Sequence, residues 1–155
     1  MFLGAPKPVA CSVRRAGAPA EAERPRIAVI DDDRSCLQLV QELLEDEGFD
    51  VAASDDLRGA YEFIKMCQPD VVVLDLIQER KPIGLGVLAA VAEDEHLRGL
   101  PLIVISADAL RLRHLGRGLQ DEGVAVLNKP FDLQALVDLV RQGLLQAGPL
   151  RTPFA

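Results

Sequence analysis

From Arg26 onward, short apolar runs alternate with segments in which apolar residues recur every three or four positions. The runs are Ile27-Ala28-Val29-Ile30, Val71-Val72-Val73-Leu74, Leu102-Ile103-Val104-Ile105 and Val124-Ala125-Val126-Leu127. Rich in Val and Ile and free of polar interruption, they predict strands covered on both faces, as in a parallel sheet. A weaker run near residues 50–53 supplies the second of five strands. Between the runs, five sets each line one face of a helix. They are Leu37, Val40 and Leu44, ending at Gly48; Leu57, Ala60, Tyr61 and Ile64; Leu85, Leu88 and Ala92; Leu112, Leu115 and Leu119, ending before Gly123; and Leu133, Leu136, Val137, Val140 and Leu144. The pattern is that of an α/β protein of (βα)5 type, a doubly wound parallel sheet with right-handed crossovers and helices on both faces.

Polar residues follow the predicted strands at telling places. Asp31, Asp32 and Asp33 come after the first run, Asp75 after the third strand, Ser106 after the fourth and Lys129 just past the fifth. All strands of a parallel sheet end on one edge, so these side chains are expected to converge on the rim where open α/β folds bind ligands. Carboxylates, a hydroxyl and one ammonium gathered there describe a site for a divalent cation and a phosphoryl group. Two carboxylates about 4 Å apart repel by on the order of 4 kcal/mol at an effective dielectric near 20, so Asp31, Asp32 and Asp75 together call for a cation. Mg²⁺ suits such oxygen ligands. Asp33, before Arg34-Ser35, reads instead as the cap of the first helix.

Composition narrows the class. The 155 residues are 49% hydrophobic, enough for one sizeable core. The formal charge of −7 argues against direct contact with nucleic acid or an anionic membrane. Residues 1–25 carry four cations against two carboxylates, a local +2, which leaves −9 for the remainder. Rich in Ala, Pro and Gly and lacking an apolar period, they are expected to form a disordered extension before a domain spanning 26–147, with 148–155 as a short tail. No stretch approaches the roughly 20 apolar residues that span a bilayer, and the N-terminus lacks the layout of a secretory signal. A cytoplasmic location is the expectation. Cys11, Cys36 and Cys67, an odd number without CxxC spacing, are expected to be reduced, two of them in the core.

Four segments carry a resemblance to a known family: Ile30-Asp31-Asp32-Asp33, Pro69-Asp70-Val71-Val72-Val73-Leu74-Asp75-Leu76, Ile105-Ser106-Ala107 and Asn128-Lys129-Pro130-Phe131. In this order, each at its own strand, they resemble the signatures of the receiver domain of bacterial two-component response regulators. The resemblance implies a flavodoxin-like sheet of order 2-1-3-4-5. It implies that Asp75 is the phosphoacceptor, its carboxylate attacking a phosphoryl group to give an acyl phosphate. It further implies Mg²⁺ held by Asp32 and Asp75 directly, by Asp31 partly through water, and by the backbone carbonyl of Ile77. Lys129 would pair with one phosphoryl oxygen and the Ser106 hydroxyl would donate to another. The donor would be a sensor histidine kinase or a histidine phosphotransfer protein. A downstream protein would dock on the fourth and fifth helices, the fourth carrying Arg111, Arg113, His114 and Arg117, and dimerisation stays open. With only eight residues after Ala147, a stand-alone receiver signalling by protein binding or onward phosphotransfer is expected.

The chain also departs from the family pattern. Glu79 stands where a Pro is common, and matching Gly84 to the family's Gly requires one inserted residue in Gln78-Glu79-Arg80-Lys81-Pro82. Val126 occupies the place of an aromatic switch. Two other readings are a receiver-like module that binds partners without taking phosphate, and a haloacid-dehalogenase-type phosphatase using Asp31, Ser106 and Lys129. The latter leaves Asp75 unexplained.

Overall fold

A computed structural model describes residues 24–146. The expected extension over 1–25 and tail over 148–155, with Cys11, fall almost wholly outside the described residues. The elements are β1 (Arg26–Ile30), α1 (Arg34–Asp46), β2 (Asp50–Ser54), α2 (Ala60–Cys67), β3 (Val71–Asp75), α3 (Ile83–Glu93), β4 (Leu102–Ser106), α4 (Ala109–Asp121), β5 (Ala125–Asn128) and α5 (Leu133–Gln146), with a 3₁₀ turn at Glu95–Leu97. All strand pairs are parallel and the order is β2-β1-β3-β4-β5. The chain thus has the (βα)5 layout that the hydrophobic runs predict and the flavodoxin-like strand order that the resemblance implies.

The two-residue period of the strands sorts their side chains into two cores. Ile27, Val29, Val71, Val73, Ile103 and Ile105 pack with Val40 and Leu44 of α1 and Leu136, Val137 and Val140 of α5. Ala28, Ile30, Val72, Leu74 and Val104 pack on the other side with Ile64, Val87, Leu88, Leu112 and Leu119 of α2, α3 and α4. Nearly all of these are fully buried, so the sheet is rigidly sandwiched and its C-terminal edge is a fixed platform.

Two boundaries differ from the sequence pattern. Leu57 is fully buried but lies before α2, in a turn whose carbonyl accepts the Ala60 amide at 3.2 Å. Val124 is likewise buried but not part of β5, because its amide closes the end of α4 by donating to the Leu119 carbonyl at 2.8 Å. Cys67 is a core residue as expected, whereas Cys36 is only partly buried, and both are free thiols. Among the described residues no helix is long and apolar enough to cross a membrane.

Candidate functional site at the C-terminal edge of the sheet

β1 and β3 are neighbours, with Ile30 beside Leu74 in register. Asp31 and Asp75, next along each chain, therefore stand side by side. Asp31, Asp32 and Asp75 present carboxylate oxygens that all lie within 4.8 Å of one another. Asp31 and Asp75 are buried, at 1% and 5% exposure, while Asp32 faces solvent. Local hydrogen bonds fix the buried pair: the Asp33 amide donates to Asp31 Oδ1 at 2.9 Å, and the Ile77 amide to Asp75 Oδ1 at 3.2 Å. Asp33 itself turns away and caps α1, accepting from the amides of Ser35 and Cys36.

Lys129 reaches the acids from β5's far end. Its Nζ donates to Asp31 Oδ2 at 2.8 Å and stands 3.5 Å from Asp75 Oδ2. Its backbone is held by a bond from its amide to the Ser106 carbonyl at 2.9 Å, and the Lys129–Pro130 peptide is cis. Ser106 is fully buried at the end of β4, and its Oγ accepts from the Asp108 amide at 3.0 Å. The five residues singled out from the sequence are thus gathered on one rim.

The electrostatics follow from burial. Loss of water, reinforced by the neighbouring Asp31 carboxylate, pushes Asp75 from 3.8 up to about 7. Burial alone would lower the Lys129 ammonium, but its hydrogen bond to Asp31 and the charges of both acids outweigh this and raise it. One ammonium against three carboxylates leaves the cluster under-neutralised, and hard oxygen donors in such a group fit a magnesium-class cation.

Three further residues shape the site, of which only Gly84 is marked in the sequence, by its match to the family's Gly. Cys36, on the first turn of α1, lies against Asp31; burial and that acid push its thiol up to about 12, so it stays protonated. Gly84 packs backbone to backbone beneath Asp75, where a Cβ would come 2.7 Å from the Asp75 carbonyl oxygen and 2.8 Å from Leu76 Cα. Its amide donates to the Leu76 carbonyl at 2.9 Å. This close approach supports aligning Gly84 across the inserted residue in the β3–α3 loop. The third is Gln78, whose Oε1 accepts from the Leu57 amide at 2.9 Å.

Residues 27–141 match the family described as the response regulator receiver domain. The chain is 34% identical over 130 residues to the response regulator MprA of Mycolicibacterium vanbaalenii, covering 80% of this chain and 52% of that protein. It is 32% identical over 118 residues to the DNA-binding dual master transcriptional regulator RpaA of a Synechocystis strain, covering 76% of this chain and 48% of that protein. The chain therefore spans about half the length of the curated relatives it matches. Among solved structures, a sensor protein from Polaromonas sp. JS666 superposes with a TM-score of 0.71 at 27% identity, covering 81% of this chain and all of that one. The chemotaxis response regulator CheY4 of Vibrio cholerae shares the fold, with a TM-score of 0.68 at 21% identity over 79% of this chain and all of that one.

Proposed function

Because the chain belongs to the response regulator receiver family, we propose that it is a phosphoacceptor signalling domain of a two-component system that takes a phosphoryl group on Asp75 from a phosphohistidine donor. The observation that carries this reading is the gathering of Asp31, Asp32, Asp75, Ser106 and Lys129 on one rim. Mg²⁺ would be held by the carboxylates of Asp31, Asp32 and Asp75 and the carbonyl of Ile77, and when bound it supplies the positive charge that lets acids and phosphate share one site.

The chain's own residues do the rest. An oxygen of Asp75 attacks phosphorus while the bond from phosphorus to the donor's imidazole nitrogen breaks, and the electron pair leaves with that nitrogen. Lys129, already between Asp31 and Asp75, neutralises one phosphoryl oxygen as a point charge. Ser106 Oγ keeps its proton free while it accepts from the Asp108 amide, so it has a donor to offer another phosphoryl oxygen. Engagement of Ser106 then biases the β4–α4 loop, because that contact exists in one state only. The response is read by a partner protein on α4 and α5, with Arg111, Arg113 and Arg117 of α4 supplying positive charge in a chain of net −7. The net negative charge of the chain favours protein over nucleic-acid contact, and the setting is cytoplasmic.

Radiolabelled acetyl phosphate with Mg²⁺ tests the reading. Asp75→Asn keeps the shape but removes the nucleophile, so hydroxylamine-sensitive label disappears, and Asp32→Ala weakens metal binding, so labelling needs more Mg²⁺. Label retained on Asp75→Asn at the wild-type level overturns the assignment. Label on Asp31 would instead support the phosphatase-type chemistry, and an unlabelled wild type would support a binding module that takes no phosphate.

A further inference from the structure

The loop between β3 and α3 contains a strained turn. Gln78 and Lys81 pair through both main-chain groups, at 3.0 and 2.9 Å, around Glu79 and Arg80. Both tip residues are left-handed, with φ of 51° and 64°. A two-residue turn of this kind favours Asn-Gly, and non-glycine residues there are strained. Such strain persists where surrounding structure enforces it, and it concentrates at functional positions.

Here the enforcement is visible. Gln78 Oε1 accepts from the Leu57 amide at 2.9 Å, and Glu79 Oε2 lies 3.9 Å from the Arg58 guanidinium. Both ties reach the loop after β2. Since β1 lies between β2 and β3 in the sheet, the two loops together close the α2–α3 side of the rim that carries Asp31 and Asp75. Gln78 and Glu79 are consumed in anchoring. Arg80 and Lys81 remain exposed, and among the described residues neither has an ion pair. The other exposed cations near this rim are engaged, Arg34 with Asp55 at 3.0 Å and Arg58 with Glu79. The rim otherwise displays Asp32, Asp33, Asp55 and Asp56, which repel an anion.

Resting on the phosphoacceptor reading above, we infer that the Gln78–Lys81 hairpin is an electrostatic guide for the donor, its Arg80 and Lys81 attracting the anionic phosphoryl group toward Asp75. The anchored base preorganises both cations, so no ordering of the loop is needed when the donor arrives. In the reaction the Asp75 oxygen bonds to phosphorus as the bond to the carrier breaks, and with acetyl phosphate the acetate leaves with the electron pair. The cations act on encounter and leave that exchange unchanged.

The test compares initial rates of labelling by acetyl phosphate with Mg²⁺ across salt concentrations. In the doubly substituted Arg80→Gln/Lys81→Gln protein the rate at low ionic strength falls by about tenfold, the lower end of the scale for charge steering. The deficit shrinks toward high salt, where charges beyond about 3 Å are screened. Arg24→Gln/Arg98→Gln removes the same charge at the opposite edge of the sheet and leaves the rate unchanged. Arg80→Gly/Lys81→Gln relieves the turn's strain yet shows the same deficit, while Arg80→Lys/Lys81→Arg restores the wild-type rate. A labelled wild type matched by the doubly substituted proteins at every salt concentration overturns the guide alone, whereas an unlabelled wild type overturns the phosphoacceptor reading beneath it.

Discussion

Lys129 Nζ lies closer to Asp31, at 2.8 Å, than to Asp75, at 3.5 Å. The ammonium is thus committed mainly to Asp31, and Asp75 has the weaker of its two contacts. On the proposed reading, receipt of a phosphoryl group at Asp75 calls for a redistribution of this ion pair as well as the new bond.

The first prediction concerns pH without Mg²⁺. Asp75 releases its proton near 3.8 when unfolded and near 7 when folded, so between these values the folded state binds more protons. Stability then falls as pH rises through that window, with the contribution fully present below 3.8 and lost above about 7. In thermal unfolding at pH 8 with a chelator, Asp75→Asn raises Tm by about 4 °C and flattens the slope between pH 4 and 7. An unchanged slope would show that burial and the neighbouring Asp31 do not raise Asp75.

A second prediction follows from the backbone contact under Asp75. Gly84→Ala places a methyl group 2.7 Å from the Asp75 carbonyl oxygen, and relieving that overlap costs roughly 1–3 kcal/mol in urea unfolding. It also slows labelling, because the phosphoacceptor strand end must shift. Gly86→Ala is the control: it sits in the same helix with nothing within 4 Å of a new Cβ, and it is expected to stabilise by about 0.5–1 kcal/mol.

The third prediction lies at the opposite edge of the sheet. Arg26 is 5% exposed; its Nε donates to Asp50 Oδ2 at 2.8 Å and its NH1 to the Cys67 carbonyl at 2.8 Å. Arg26→Met keeps the apolar stem but strands these acceptors, costing about 2 kcal/mol, below the cost at a fully buried pair because Asp50 reaches water. Chemical denaturation measures the loss, while labelling of the folded protein stays at the wild-type rate.

A fourth prediction concerns the response. Val126, partly buried on β5, packs against the α2–α3–α4 core. Short and stiff about its first torsion, it cannot sweep the volume of an aromatic ring. With beryllofluoride standing in for the phosphoryl group on Asp75, amide shifts are expected near the site and through residues 107–118. Equally large shifts through 124–127 and α5 would show a switch that does not need the ring.

The strands, the rim and the positions of the five candidate residues on it were legible in the sequence because each depends on a local signal: an apolar run and the polar residue that ends it. The misplaced boundaries have a common cause. Leu57 and Val124 are buried like element residues, so periodicity assigns them to one, but their backbones serve turns and caps. Gln78 was invisible for another reason. Its partner Leu57 is 21 positions away, and a polar side chain in a loop carries no pattern that announces a distant amide. Cys36 looks like any helix residue until the fold sets it beside Asp31.

The sheet divides the interior into two apolar compartments that share no side chains. Substitutions in one compartment therefore add to those in the other with little coupling, as separated sites do. The rim residues belong to neither compartment but to the ends of the strands between them. Each packing face can drift through generations of conservative exchanges while the chemistry at the edge stays in place, so a lineage can remodel what it presents to partners on one side without disturbing how it is switched on.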